Sequence, residues 1–240
     1  MFEGKTYWIV GASEGLGRSL ATQMDALGAR LILSARTESR LSDLAAGLRD
    51  ATVIPMDVTD SADVERAAKE AGEVDGMIYS VGAYEPITAE QWDPATVERI
   101  CETNYMGAVR LLGHLAPDFA RRDRGHLVLI GSLAGFTGLP GATGYGASKA
   151  ALMHMAENLY ADLRRTNVRV QLVNPGFIKT RLTEKNDFHM PFIMTADRAA
   201  GLTIAAMRRG RFQTSFPMVF SWLFRVGRFL PKKLFLSLMS

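Results

Sequence analysis

The 240-residue chain has a single cysteine, Cys101, so no disulfide can form within it and no cysteine cluster can hold a metal. Histidine is scarce as well, and His114, His126, His154 and His189 share no metal-ligand spacing. A long apolar run is also missing. His126–Ser148 lacks Asp, Glu, Lys and Arg for 23 residues, but Gly131, Gly135, Gly138, Gly141, Gly144, Gly146 and Pro140 make it loop chemistry after a strand. Phe212–Phe224 is more apolar yet ends after 13 residues at Arg225, too short to span a bilayer. Met1-Phe2-Glu3-Gly4-Lys5 lacks the basic-then-apolar order of a secretory leader. The expectation is a cytoplasmic protein in a reducing compartment, with no membrane span. Ser132 stands outside any Gly-x-Ser-x-Gly elbow, so a hydrolase has no support.

Acidic residues are absent from one region. The net charge of +3 is an average over two unlike parts. Met207–Ser240 holds seven basic residues (Arg208, Arg209, Arg211, Arg225, Arg228, Lys232, Lys233) and no acid, whereas Met1–Ala206 holds 21 basic and 25 acidic ones. The slightly acidic body offers no footprint for nucleic acid. A charge asymmetry of this kind makes the tail a candidate contact with an anionic surface.

With 48% hydrophobic and 22% charged residues, the composition is that of a globular chain, and one α/β domain accounts for its length. Strand-like runs at Thr6–Val10, Arg30–Ser34, Thr52–Met56, Gly76–Ser80, His126–Gly131 and Arg169–Val173 alternate with helical patterns. Those patterns cover Gly15–Leu27, Arg40–Leu48, Val64–Ala71, Glu98–Phe119 and Tyr145–Arg165. Short runs apolar on both faces, joined by helices, predict right-handed crossovers and a parallel sheet. The fold class is α/β: a doubly wound, Rossmann-like three-layer sandwich. A helix near Thr195–Arg208 and an edge strand at Phe212–Phe216 close a catalytic domain of residues 1–216, leaving 217–240 as an extension.

The first strand runs into Gly11-Ala12-Ser13-Glu14-Gly15-Leu16-Gly17, and a helix follows. Glycines there permit a tight turn and bring backbone amides and a helix N-terminus up to a pyrophosphate. Gly11, Ser13, Glu14, Gly15, Leu16 and Gly17 are therefore candidate cofactor contacts. After the second strand, Leu33-Ser34-Ala35-Arg36-Thr37 has no acid to hold two ribose hydroxyls. Arg36 offers a planar cation to a 2′-phosphate, with Ser34 or Thr37 adding a hydroxyl, so NADP(H) is expected ahead of NAD(H). Tyr145 and Lys149, four residues apart, share a helix face. A lysine cation beside a phenol favours the phenolate, and lowering tyrosine from about 10 to neutrality corresponds to roughly 4 kcal/mol.

The Gly-x3-Gly-x-Gly spacing and Tyr-x3-Lys resemble the short-chain dehydrogenase/reductase family. So do Asp57-Val58, Asn104 within Thr103-Asn104-Tyr105-Met106-Gly107, Ser132, and Pro175-Gly176 followed by Thr180. The resemblance spans residues 5–180. It implies an oxidoreductase in which Tyr145 is the acid/base and Lys149 its tuner and ribose ligand. It further implies that Ser132 holds the carbonyl and Asn104 relays the proton. It adds Asp57, Val58, Gly82, Pro175, Gly176, Ile178 and Thr180 as cofactor contacts, carbonyl reduction as the direction, and a homodimer or homotetramer. Two places depart from the family pattern. Tyr79-Ser80-Val81-Gly82 replaces Asn-Asn-Ala-Gly, and Val10 replaces a threonine before Gly11.

On the substrate side, Arg181–Met194 carries Phe188, Met190, Phe192, Ile193 and Met194 around Pro191. It reads as a lid over an apolar substrate or as an ordinary packed loop. Tyr84, Phe136 and Phe177 are expected at the same pocket, and the absence of clustered fixed charge points to an apolar or lipid-like carbonyl or alcohol. On a helical wheel the extension places Ser221, Arg225, Arg228 and Lys232 in one polar stripe. Phe220, Trp222, Leu223, Phe224, Val226, Phe229 and Leu230 fill the rest, and Leu234, Phe235, Leu236, Leu238 and Met239 follow Pro231. Such an arc must be covered, either by anionic lipid or by protein, whether its own domain or a partner subunit. A non-catalytic nucleotide sensor or lipid-binding protein on the same fold is the alternative function.

Overall fold

Thr6–Val10 (β1) is buried almost throughout, as a strand covered on both faces must be. The computed structural model describes the chain except Arg228, Ser240 and the side chains of Leu236, Leu238 and Met239. The sheet continues with β2 (Arg30–Ser34), β3 (Ala51–Val53), β4 (Gly76–Tyr79), β5 (Gly125–Ile130), β6 (Val168–Pro175) and β7 (Gln213–Phe216). All seven are parallel, in the order β3-β2-β1-β4-β5-β6-β7. The order reverses between β1 and β4, and the crevice at the strands' C-terminal ends there is where this architecture receives ligands.

The helices are α1 (Gly15–Ala26), α2 (Glu38–Ala45), α3 (Ser61–Ala71), α4 (Pro94–Cys101), α5 (Gly107–Arg122), α6 (Thr143–Leu163) and α7 (Ala196–Arg209). Alternation along β1 divides the core. Trp8 and Val10 meet Val64 of α3, Leu111 and Phe119 of α5, and Leu152 of α6. Tyr7 and Ile9 meet Leu20 of α1, Leu41 of α2 and Ile204 of α7.

Two expected elements differ. The strand predicted over Thr52–Met56 ends at Val53. Ile54 and Met56 still donate to Leu33 and Ala35, but Pro55 between them has no N–H to extend the ladder. The helix predicted over Glu98–Phe119 starts earlier, at Pro94, where the Asp93 carboxylate accepts from Thr96 N–H. It is also interrupted by a π-helical turn at Glu102–Met106, a widening that apolar periodicity does not encode.

A buried polar chain crosses the sheet. Tyr7 Oη lies 2.9 Å from His126 Nδ1, and His126 Nε2 lies 2.8 Å from Gln171 Oε1. The Gln171 amide then donates to the carbonyls of Ala206 and Arg211. Burial, with the Arg169 charge assisting, pushes His126 from 6.5 down to about 4. The unfolded chain takes up that proton below pH 6.5 and the folded chain only near pH 4, so the stability present above pH 6.5 is lost as pH falls through this window. The loss is roughly 3 kcal/mol. Thermal unfolding followed between neutral and mildly acidic pH is expected to show a falling Tm, with a shallower fall in His126→Gln.

The C-terminal extension forms two helices, α8 (Met218–Gly227) and α9 (Lys232–Met239), rather than one continuous wheel. Pro231 cannot continue a helix, and a side chain on Gly227 would collide with the Phe235 ring. The predicted polar stripe is turned inward. Ser221 is buried and donates to the Met218 carbonyl. Arg225 reaches Ser215 Oγ and lies over the Phe136 ring, and Lys232 Nζ bonds Thr137 Oγ1. Arg228 lies outside the described residues. Phe220, Phe224 and Phe235 close on Leu133, so the extension caps its own domain, while Met218, Val219, Trp222, Val226 and Phe229 are exposed. The basic region is divided as well. Arg208, Arg209 and Arg211 lie where α7 leads into the start of β7, at the other end of that strand from α8, with Arg208 over Phe2.

Candidate active site

The glycine turn after β1 is a cradle that side chains would fill. Gly11 has φ +91°, and a β-carbon there would come within 2.9 Å of the Ser80 backbone. A β-carbon on Gly17 would collide with the Gly11 carbonyl, and Gly15 has φ +54° beneath Thr180. Val10 contributes no side-chain bond. Instead the turn is fastened by the Gly11 and Ala12 amides donating to the Ser34 carbonyl at 2.7 and 3.1 Å. The cleft above it is lined by Ser13, Glu14, Leu16, Arg36, Asp57 and Val58, and further along by Gly82, Pro175, Gly176, Ile178 and Thr180. These residues with the glycines fit a dinucleotide laid across the switch point.

Ser34 is a correction. Its side chain is wholly buried, accepting from Trp8 Nε1 at 2.8 Å and donating to the Ile54 carbonyl at 2.6 Å, so it braces the core instead of facing the cleft. Thr37 and Arg40 line the cleft on that side. Arg40 was missed by sequence reasoning; its one signal is its position a helical turn after Arg36. Arg40 bonds Glu14 at 3.0 Å, and Arg181 bonds the other Glu14 oxygen at 2.6 Å, so the only carboxylate of the glycine turn is held by two cations.

Ser132, Tyr145 and Lys149 converge at the inner end of the cleft. Ser132 lies two residues beyond β5, and its Oγ accepts from the Ala134 amide. Burial raises the pKa of the Tyr145 phenol, and the nearby Ser132 hydroxyl lowers it by less. Lys149 Nζ donates to the carbonyls of Ile130 at 3.0 Å and Val81 at 3.3 Å, and lies 5.9 Å from the centre of the Tyr145 ring. Burial pushes Lys149 down to about 8, which still leaves it mostly cationic at neutral pH. The expected lowering of Tyr145 by Lys149 is therefore not present: burial dominates, and the phenol keeps its proton.

Asn104 sits in the π-helical turn behind the cleft, fully buried. Its Oδ1 accepts from Ala83 N–H at 2.6 Å, and its Nδ2 donates to the Ala83 carbonyl and to Ser148 Oγ, both at 2.9 Å. It ties the loop after β4 to α6. Tyr79, which stands in place of the family's asparagine, donates its hydroxyl to the Thr103 carbonyl at 2.7 Å and so braces β4 to the same turn.

None of the expected substrate residues lines the cofactor cleft, although Phe177 stands between its lining residues Gly176 and Ile178. Tyr84 meets the Tyr145 ring edge-on at 5.2 Å and donates to Asn186 Oδ1, whose amide reaches Met190 Sδ. Phe177 contacts Phe188 and Phe220, and Phe192 also contacts Phe220. Phe136 packs among the capping residues of the extension. Among the described residues, no group of three His, Cys, Asp or Glu side chains is placed to hold a metal, and no helix is long and apolar enough to cross a membrane.

The family model for short chain dehydrogenases matches residues 5–190. The chain belongs to the short-chain dehydrogenase/reductase family. It is 39% identical over 242 residues to an uncharacterized oxidoreductase of Myxococcus xanthus, covering 96% of this chain and 94% of that one. A short chain dehydrogenase from Burkholderia cenocepacia, solved in complex with NADP, superposes with a TM-score of 0.87 at 25% identity, covering 98% and 97% of the two chains. A short chain dehydrogenase/reductase from Burkholderia phymatum, solved with NAD, shares the fold with a TM-score of 0.84 at 24% identity over 93% and 92%. This short-chain dehydrogenase/reductase is thus an oxidoreductase on a nicotinamide-dinucleotide fold.

Proposed function

We propose that this enzyme reduces the carbonyl of an apolar substrate with NADPH. The carrying observation is the convergence of Ser132, Tyr145 and Lys149 on one cleft that also presents Arg36, with no carboxylate at the end of β2. When bound, the dinucleotide supplies the hydride. The chain's own residues do the rest. Ser132 and Tyr145 bond the carbonyl oxygen, and Tyr145 releases its phenolic proton to that oxygen as it becomes an alkoxide. The raised pKa of Tyr145 keeps the proton in place beforehand, and the Lys149 ammonium stabilises the phenolate left behind. Asn104 holds the loop at Ala83 against Ser148 of α6, the helix that carries Tyr145 and Lys149, and we assign it the passing back of the proton.

Arg36 points to a 2′-phosphate, and Arg40 and Arg181 neutralise Glu14, which would otherwise repel it. Losing one charge-assisted contact costs roughly 10- to 100-fold in kcat/KM. Arg36→Ala is expected to show that loss with NADPH and little change with NADH. Steady-state kinetics with both cofactors tests it, and equal losses with the two would remove the phosphate reading. The aromatic cluster of Phe177, Phe188 and Phe192 after β6 supports an apolar substrate, which a screen of ketones and aldehydes graded by chain length checks directly.

A further inference from the structure

The exposed face of α8 is continuous with the rim of the active site. Met218, Val219 and Trp222 are 71%, 75% and 59% exposed, and Val226 lies one turn beyond Trp222. Beneath them Phe220 touches both Phe177 and Phe192, and the Phe177 ring touches Phe188. Phe188, Phe192 and Ile193 are themselves exposed. The helix and the loop therefore present one apolar surface, with the cleft opening beside it. A surface of this kind marks a contact with something, because scattered single residues would not fall together on one side.

Charge decides what covers it. Lys233 is exposed at the start of α9, and Lys232 and Arg225, bonded to Thr137 and Ser215, add their formal positive charge to the same segment. The chain has no acidic residue after Asp197, and none in Leu133–Leu139, on which these helices pack. Glu184 and Asp187 belong to the loop, where Lys185 is paired with Glu85. A second copy packed α8 against α8 by two-fold symmetry would set this acid-free basic segment against itself. An anionic bilayer answers both features, taking the apolar side chains into its interface and Lys233 onto its headgroups, with the formal positive charge of the segment behind it.

We infer that α8 and the Phe188–Ile193 loop dock this enzyme on an anionic membrane surface, with the active-site mouth turned toward the lipid. The inference stands apart from the choice of cofactor and from the reaction, since its readout is binding. The test uses the full chain with vesicles of phosphatidylcholine alone or of phosphatidylcholine with phosphatidylglycerol. Flotation should give an apparent affinity roughly tenfold or more higher for the anionic vesicles, falling with added salt. Val219→Ser combined with Trp222→Ser should lower it at least about tenfold while circular dichroism and Tm stay unchanged. In a Trp92→Phe background, where Trp8 is buried, Trp222 emission should shift to the blue on vesicle addition. Absence of flotation, or equal flotation on both compositions, would overturn the inference. So would a dimer seen by analytical ultracentrifugation that the double variant abolishes, because the face would then belong to a second copy.

Discussion

Tyr145→Phe is expected to lower NADPH-dependent carbonyl reduction by roughly a thousandfold while leaving nucleotide affinity and Tm almost unchanged. The ring is half-buried beside Tyr84 and removal of one hydroxyl leaves no cavity, so the fold has little to lose. What disappears is the proton that meets the developing alkoxide and the partner of Ser132 in holding the carbonyl. Burial holds the phenol above its ordinary range, and Lys149 at about 8 is the cation that offsets this as the proton leaves. Lys149→Met should therefore also fall in rate, but with weaker cofactor binding, because it removes the ammonium from the cleft itself. Single-turnover rates and nucleotide titration separate the two. A Tyr145→Phe variant as active as the parent across a broad carbonyl screen would instead favour a nucleotide-sensing role on the same fold.

Phe235→Ala is the second large effect, expected to destabilise the protein by about 3–5 kcal/mol. Phe235 is fully buried at the far end of the chain, edge-on to Phe224 at 6.4 Å and packed over Gly227. For a chain of this size such a loss lowers Tm by roughly 10 °C. The cluster it completes includes Leu133, the residue after Ser132, so carbonyl-reduction rate should fall along with stability. Calorimetry shows whether the extension unfolds with the domain. An unchanged Tm would mean that α8 and α9 are not part of the cooperative unit, and the capping role would be withdrawn.

The order of strands and helices was legible in the sequence because each segment satisfies its own local rule. Apolar runs buried on both faces read as parallel strands, and the glycines of Gly11–Gly17 mark a turn whose backbone tolerates no β-carbon at Gly11 or Gly17. Tyr145 and Lys149 were legible for the same reason, since helical spacing alone puts them on one face. Ser34 was misread because a strand-end serine looks alike whether it faces the cleft or the core; the Trp8 indole, 26 residues away, decides it. The Arg40–Glu14–Arg181 clamp joins partners 26 and 167 residues apart, a distance no local pattern reports.

The tail shows the division most clearly. Its composition determined by itself that an acid-free, aromatic segment ends the chain and must cover its apolar arc. Which side of that arc is covered depended on whether Ser221, Arg225 and Lys232 found partners, and Met218, Phe136, Ser215 and Thr137 supply them. Polar side chains satisfied in this way can turn inward with Phe220, Phe224 and Phe235, leaving Val219 and Trp222 outside. Periodicity states that a helix has two faces, and only the surface it meets in three dimensions decides which one is buried.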